Sequence, residues 1–279
     1  MLISQSFQHE EILGFKFGYQ AIGQPKLFTH IYFVDGLLLD TGQSIMKKSI
    51  LAATKKLEVE QIFITHHHED HTGNIRALKD QHNCEAYASK LCCEMMKAPP
   101  KLSFAQKITW GTRPAQKDLI PKQQAIKTNK YCFEIIPIFG HAPDMVALYE
   151  PNRKWLFSAD LYLNSYIDYF VHNESVADQI ASIKKILALD FDVLLCSHKP
   201  QLKNGKQQLT KKLHFLESFF DMVSTLYTQG YSAKEIFKHL KLKENWLVKI
   251  LSGGSLSKMN MVHSVIRDLE EQRSKDFLT

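Results

Sequence analysis

The stretch "QIFITHHHEDHTGN", residues 61–74, constrains this chain more than any other. Its first five residues are a short apolar run of strand length. The next six, His66 to His71, hold four histidines and two acids. Such residues give a core little to bury. Ligands of α/β sheets sit where strands end, and this cluster begins where a strand ends. His66 and His68 are two apart, so in an extended segment their rings point to one side and His67 to the other. Asp70 and His71 follow after a bend, which brings a second pair of donors from another direction. Imidazole nitrogens and carboxylate oxygens suit zinc and related divalent ions at roughly 2.0–2.2 Å.

The same placement recurs along the chain. His141 follows the strand-like run 131–139, Asp160 ends 155–159, and His198 follows 191–197. Seven candidate ligands are too many for one zinc and about right for two. His9, His30, His82, His214, His239 and His263 lack partner spacing and read as ordinary, and His67 reads as an exposed or supporting histidine.

"HIYFV" and "LLLD" flank Asp35-Gly36, a dipeptide of two-residue hairpins. Residues 44–57 carry apolar side chains at helical spacing, and "IRALKDQ", "CEAYA" and "KLCCEMMK" read as helix, strand and helix. Residues 99–130 have no clean periodicity and several prolines, as a surface excursion of the kind that forms functional rims would. "MVALYEPNRKWLFSAD" is a second hairpin, 175–189 an amphipathic helix and "FDVLLCS" a buried strand. Strands alternating with helices, with hairpins between, predict an α/β sandwich of mixed sheets covered by helices. From about Gly205 onward no strand pattern appears, and helices are predicted over 207–228, 232–240, 244–251 and 256–273. The expected division is a catalytic domain over 1–205 and a helical subdomain over 206–279.

Composition narrows the class. Hydrophobic residues are 44% and charged residues 23%, which permits a sizeable core. No apolar run approaches the length of about 18 residues that spans a bilayer, and the first residues lack a signal-peptide pattern. The five cysteines form no C-x-x-C pair, which argues against a disulfide framework or a thiolate zinc site. A cytoplasmic protein is expected. The net charge of +6 raises the prior for an anionic partner, but the basic residues are spread out and nucleic acid is disfavoured.

His66-x-His68-x-Asp70-His71, followed by His141, Asp160 and His198, resembles the metallo-β-lactamase-fold hydrolases, and is most similar to their glyoxalase II-like branch. "LLLDTG" at 37–42, "GHAPD" at 140–144 and "FSAD" at 157–160 strengthen the resemblance, which covers about residues 15–200. It implies an αββα sandwich of two mixed β-sheets flanked by helices. It implies one metal on His66, His68 and His141, a second on Asp70, His71 and His198, and Asp160 bridging them. Asp40 matches the aspartate that braces the histidine loop. The implied cofactors are two zinc ions, with iron or manganese also acceptable to these ligands. The implied chemistry is attack by a metal-bridging hydroxide on a small ester, thioester or lactone, with Asp70 orienting it and passing a proton to the leaving group.

Two alternatives stay open: a phosphodiesterase or ribonuclease of the same fold, and a metal-binding regulator acting through its helical tail. Tyr166 and His172, in the tyrosine-rich segment after Asp160, are candidate substrate contacts. Asp144 either orients the loop around His141 or caps a turn. The tail reads as a cap over the pocket or as a homodimer surface.

Overall fold

Side chains of the central strands alternate between two apolar layers, and that alternation builds the architecture. The computed structural model describes residues 2–19, 28–252 and 254–276. The chain forms two compact units, the first of which runs to Pro137 and adds Asp144–Asp160 and Asp190–Gly205.

In the first unit one sheet holds seven strands in chain order, β1 (Leu2–His9), β2 (Ile12–Tyr19), β3 (Thr29–Val34), β4 (Leu37–Leu39), β5 (Gln61–Ile64), β6 (Glu85–Ala88) and β7 (Ile120–Pro121). β1 to β4 pair antiparallel, and β4 to β7 pair parallel. The β3–β4 turn is Asp35-Gly36, with φ 46° and 81°, the left-handed pair that a type I′ turn requires. The second sheet contains β8 (Ala125–Lys127), β9 (Cys132–Pro137), β10 (Val146–Glu150) and β11 (Trp155–Ala159). The two-residue β12 (Phe170–Val171) lies outside it, and β13 (Val193–Cys196) completes it by pairing parallel to β11.

Leu37, Leu39 and Phe63 from the first sheet share a core with Phe133, Leu148, Phe157 and Leu195 from the second. Their neighbours Leu38, Ile62 and Ile64 face the other way. There they meet Ile50 of α1 (Lys47–Thr54), then, past the short α2 (Glu69–Thr72), Leu78 of α3 (Ile75–His82) and Met96 of α4 (Lys90–Lys97). β5 is thus apolar on both faces, as expected of a parallel strand inside a sheet, and its C-terminal end opens into the histidine stretch.

The second unit comprises Ile138–Pro143, Leu161–Leu189 and the chain from Lys206. After α5 (Phe104–Trp110) of the first unit come its helices α6 (Val176–Leu187), α7 (Gly205–Thr228), α8 (Ala233–His239), α9 (Trp246–Leu251) and α10 (Lys258–Asp276). The first amides of α6 are capped from a distance. Val176 N–H donates to Ser264 Oγ at 2.9 Å and Ala177 N–H to Asp268 Oδ2 at 2.9 Å, both acceptors lying on α10.

Two segments differ from the sequence expectation, and a third carried none. The N-terminal hairpin β1–β2 carried no expectation, because β1 is largely exposed and lacks an apolar face. The 99–130 excursion contains α5, started by a Ser103–Gln106 capping box, and the strands β7 and β8. The tail, expected to be free of strands, contributes β14 (Leu256–Ser257), which pairs with β12. A two-residue ladder is too short to carry a period.

Leu148, fully buried between the two sheets, tests this core. Leu148→Ala is expected to lower stability by about 2–5 kcal/mol, read as a drop in the urea midpoint at constant slope.

Candidate metal centre

Two loops, one after β4 and one after β5, are latched together by polar groups. Asp40 follows β4 with φ 60° and is buried. Its Oδ1 accepts the Thr65 N–H at 2.9 Å, and its Oδ2 accepts the Thr65 hydroxyl at 2.9 Å. Thr41 N–H and Oγ1–H both donate to the His71 carbonyl, at 2.8 and 2.7 Å. Gly73 N–H donates to the Gly42 carbonyl at 3.1 Å. A Cβ at Gly73 would stand 2.4 Å from the Ser44 nitrogen, so the glycine of "HTGN" is required by close approach of two backbones.

Asp40 also sets the chemistry of His71. Its Oδ2 lies 2.8 Å from His71 Nδ1; a carboxylate only accepts, so Nδ1 carries a hydrogen and Nε2 is the nitrogen left to face a metal once its own proton is released. That Nε2 is buried with no hydrogen bond of acceptable geometry among the described residues. It faces Asp160 Oδ1 at 3.4 Å and Asp70 Oδ2 at 3.7 Å. His198 repeats the arrangement. Nδ1–H donates to the Phe28 carbonyl at 2.6 Å, while Nε2 lies 3.2 Å from Asp160 Oδ2 and 3.5 Å from Asp70 Oδ2. Asp160 is re-aimed by a register shift at the end of β11, where Ala159 has φ 45°. One donor atom from each of Asp70, His71, Asp160 and His198 lies within 4.8 Å of the others.

Charge explains what such a cluster needs. Burial opposes protonation of His71, but Asp160, Asp70 and Asp40 outweigh it and push the ring well above the ordinary histidine range. Burial likewise opposes protonation of His198, yet Asp160 and Asp70 raise it to about 9. Burial would raise Asp160; His198 and His71 instead hold it well below the usual carboxylate range. Protons therefore stand in for a cation among converging carboxylates, and two imidazole nitrogens with two carboxylates fit zinc, iron or manganese.

His66 and His68 sit on the same loop, their ring centroids 4.6 Å apart, and the His66 ring is 4.0 Å from that of His71. His141 belongs to the second unit. Its Nδ1 lies 2.8 Å from Glu174 Oε1, and Glu174 Oε2 accepts from Gln179 Nε2 at 3.1 Å, the same carboxylate–histidine support that Asp40 gives His71. Glu174 was missed because no spacing links it to His141.

His67 is buried, not exposed. Its Nδ1–H and backbone N–H donate to the two oxygens of Asp144, each at 2.8 Å, so Asp144 holds the histidine loop itself. His30 is not an ordinary histidine either. Its backbone N–H and Nδ1–H donate to the Ser197 carbonyl at 2.6 and 3.0 Å, which anchors the residue before His198. Burial pushes His30 down to about 4, so it stays neutral at neutral pH. Tyr166 is two-thirds exposed with its ring 5.7 Å from that of Phe215, and His172 is exposed.

The family profile described as the metallo-beta-lactamase superfamily matches residues 25–198. A hydroxyacylglutathione hydrolase of Wigglesworthia glossinidia brevipalpis is 29% identical over 204 residues, 72% of this chain and 69% of that protein. A protein of the same name from Legionella pneumophila (strain Lens) is 27% identical over 50% of this chain and 48% of its own length. Among solved structures, a beta-lactamase domain protein from Burkholderia ambifaria matches with a TM-score of 0.70 at 13% identity, covering 95% of this chain and 89% of that one. A metallo-beta-lactamase family protein from Thermus thermophilus matches with a TM-score of 0.67 at 16% identity, covering 90% and 91%. At such identities the structures speak to the fold alone, and that fold is the αββα sandwich with added C-terminal helices.

Two outcomes are expected. Asp40→Ala should weaken zinc binding by about 10–100-fold, measured by competition with a chelating dye. Binding should also release protons, because His198 titrates near 9 and His71 above its ordinary range, whereas ligands must be neutral. At pH 7 both rings are protonated without metal. Calorimetry in buffers of different ionisation enthalpy should therefore show release of about two protons per chain, falling as pH rises through 9.

Proposed function

We propose that this chain, which belongs to the metallo-β-lactamase superfamily, hydrolyses a small ester, thioester or lactone with two bound metal ions, zinc preferred. The observation that carries this reading is the convergence of Asp70, His71, Asp160 and His198 around the unpartnered Nε2 of His71. In the proposal these four hold one metal, with Asp160 shared. His66, His68 and, from the second unit, His141 hold the other. The hydroxyacylglutathione hydrolases among the relatives favour a thioester.

Bound at such a site, divalent ions act as Lewis acids that acidify water and polarise a carbonyl. The residues do the rest. Asp70 supplies a carboxylate oxygen to orient the attacking water, takes its proton and passes it to the leaving group. Asp40, through Thr65 and His71, keeps the loop and its tautomers in register. Thr65 Oγ1 lies 3.1 Å from His66 Nδ1 and extends that control to the next histidine. Tyr166 and His172 enter the proposal as substrate-side residues of the second unit. Residues 1–205 form the proposed catalytic domain and 206–279 the proposed cap. Among the described residues no helix is long and apolar enough to cross a membrane.

The test is a panel of thioesters, lactones, lactams and phosphodiesters on zinc-replete protein. Thioester or ester turnover is expected, and Asp70→Ala should reduce kcat by about 10²–10⁴-fold with lower zinc content. Phosphodiesters as the only turned-over class would replace this reading with the phosphodiesterase one.

A further inference from the structure

Residues 103–113 are ordered without an apolar source of order. No residue of α5 is buried, and a helix this short has no stability of its own in water. Polar ties hold it to the ligand loop and to the turn after β4. Gln106 Nε2 donates to Glu69 Oε1 at 2.9 Å. The Arg113 side chain, only 3% exposed, lies 3.5 Å from Glu69 Oε2 and donates through Nη1 to the His67 carbonyl at 3.0 Å. Thr112 N–H donates to Ser44 Oγ at 2.6 Å. At Gly111, φ 91°, a Cβ would meet Ser44 Oγ at 2.2 Å.

These ties fix the rotation of the helix. Gln106 and Trp110 are four apart and share its inner face. Phe104 and Ile108 share the opposite face, 80% and 51% exposed. Trp110 is partly buried, with its ring centroid 6.3 Å from that of His198 and a tilt of 52°. A rigid indole thus stands beside a ligand of the metal cluster, on an element that serves no core.

We propose that α5 is a recognition wall in which the Trp110 indole receives an apolar acyl group of the substrate, with Arg113 and Gln106 as positioning residues. The word substrate rests on the hydrolase reading; the wall as an apolar subsite does not. An indole offers a broad apolar face, so affinity should rise with each methylene placed against it.

Acetate and hexanoate, as product-like carboxylates, test this by calorimetry on zinc-loaded full-length protein. Wild type is expected to bind hexanoate about tenfold tighter than acetate. Trp110→Ala should bring the two within about twofold, at unchanged zinc per chain, and Trp110→Phe should keep most of the difference. No residue of α5 is fully buried, so these replacements leave the core intact. Arg113→Met should also reduce discrimination and speed tryptic cleavage at Lys107, because the ties from Arg113 to Glu69 and to the His67 carbonyl are lost; Arg113→Lys should restore both in part. Equal affinities in wild type, no binding of hexanoate, or an unchanged ratio in Trp110→Ala would overturn the wall. Discrimination without turnover of any ester would overturn the hydrolase reading and leave the wall standing.

Discussion

The Asp40 carboxylate is the contact on which the site depends. It is buried, sits on a left-handed residue, and accepts hydrogen bonds from Thr65 N–H, Thr65 Oγ1 and His71 Nδ1. An ionised carboxylate in such a place is tolerable only when its oxygens are satisfied. Here satisfying them joins the end of β4 to the loop after β5 and fixes which nitrogen of His71 is available. One group thereby sets backbone path, ring orientation and tautomer together. Glu174 gives His141 the same support in the second unit.

Strand direction lets the cluster assemble. The parallel pairs β4–β5 and β11–β13 end on the same side of their sheets, so Asp40, the histidine loop, Asp160 and His198 emerge at strand termini. Core residues end where donors begin: Ile64 is buried two residues before His66, and Cys196 two before His198. The close-packed core leaves the donors little freedom. Their mutual repulsion is then met by protons or by cations rather than by movement, which is why His71 and His198 hold their protons so firmly.

The central strands could be read from their apolar residues, and the β3–β4 turn from its Asp-Gly pair. Asp35-Gly36 specified a type I′ turn, and "QIFIT" a strand apolar on both faces. The β1–β2 hairpin was not legible, since β1 has no buried side to betray it. The β12–β14 pair is too short for any pattern. At the site, order along the chain marked the candidate ligands. It could not mark Glu174, Asp144 as the partner of His67, or His30 as the anchor of Ser197, because those contacts join residues far apart in sequence.

Residue type and strand-end placement determined, from the sequence alone, that this chain gathers histidines and aspartates for metal chemistry on an α/β scaffold. Donor chemistry and the two-residue period are local properties, legible wherever they occur. Only the tertiary structure decided which carboxylate holds which ring, that His67 turns inward to Asp144, and that α5 is tied beside His198 by Arg113. Those outcomes rest on pairings between distant segments, and the chain declares them only when its strands are in register.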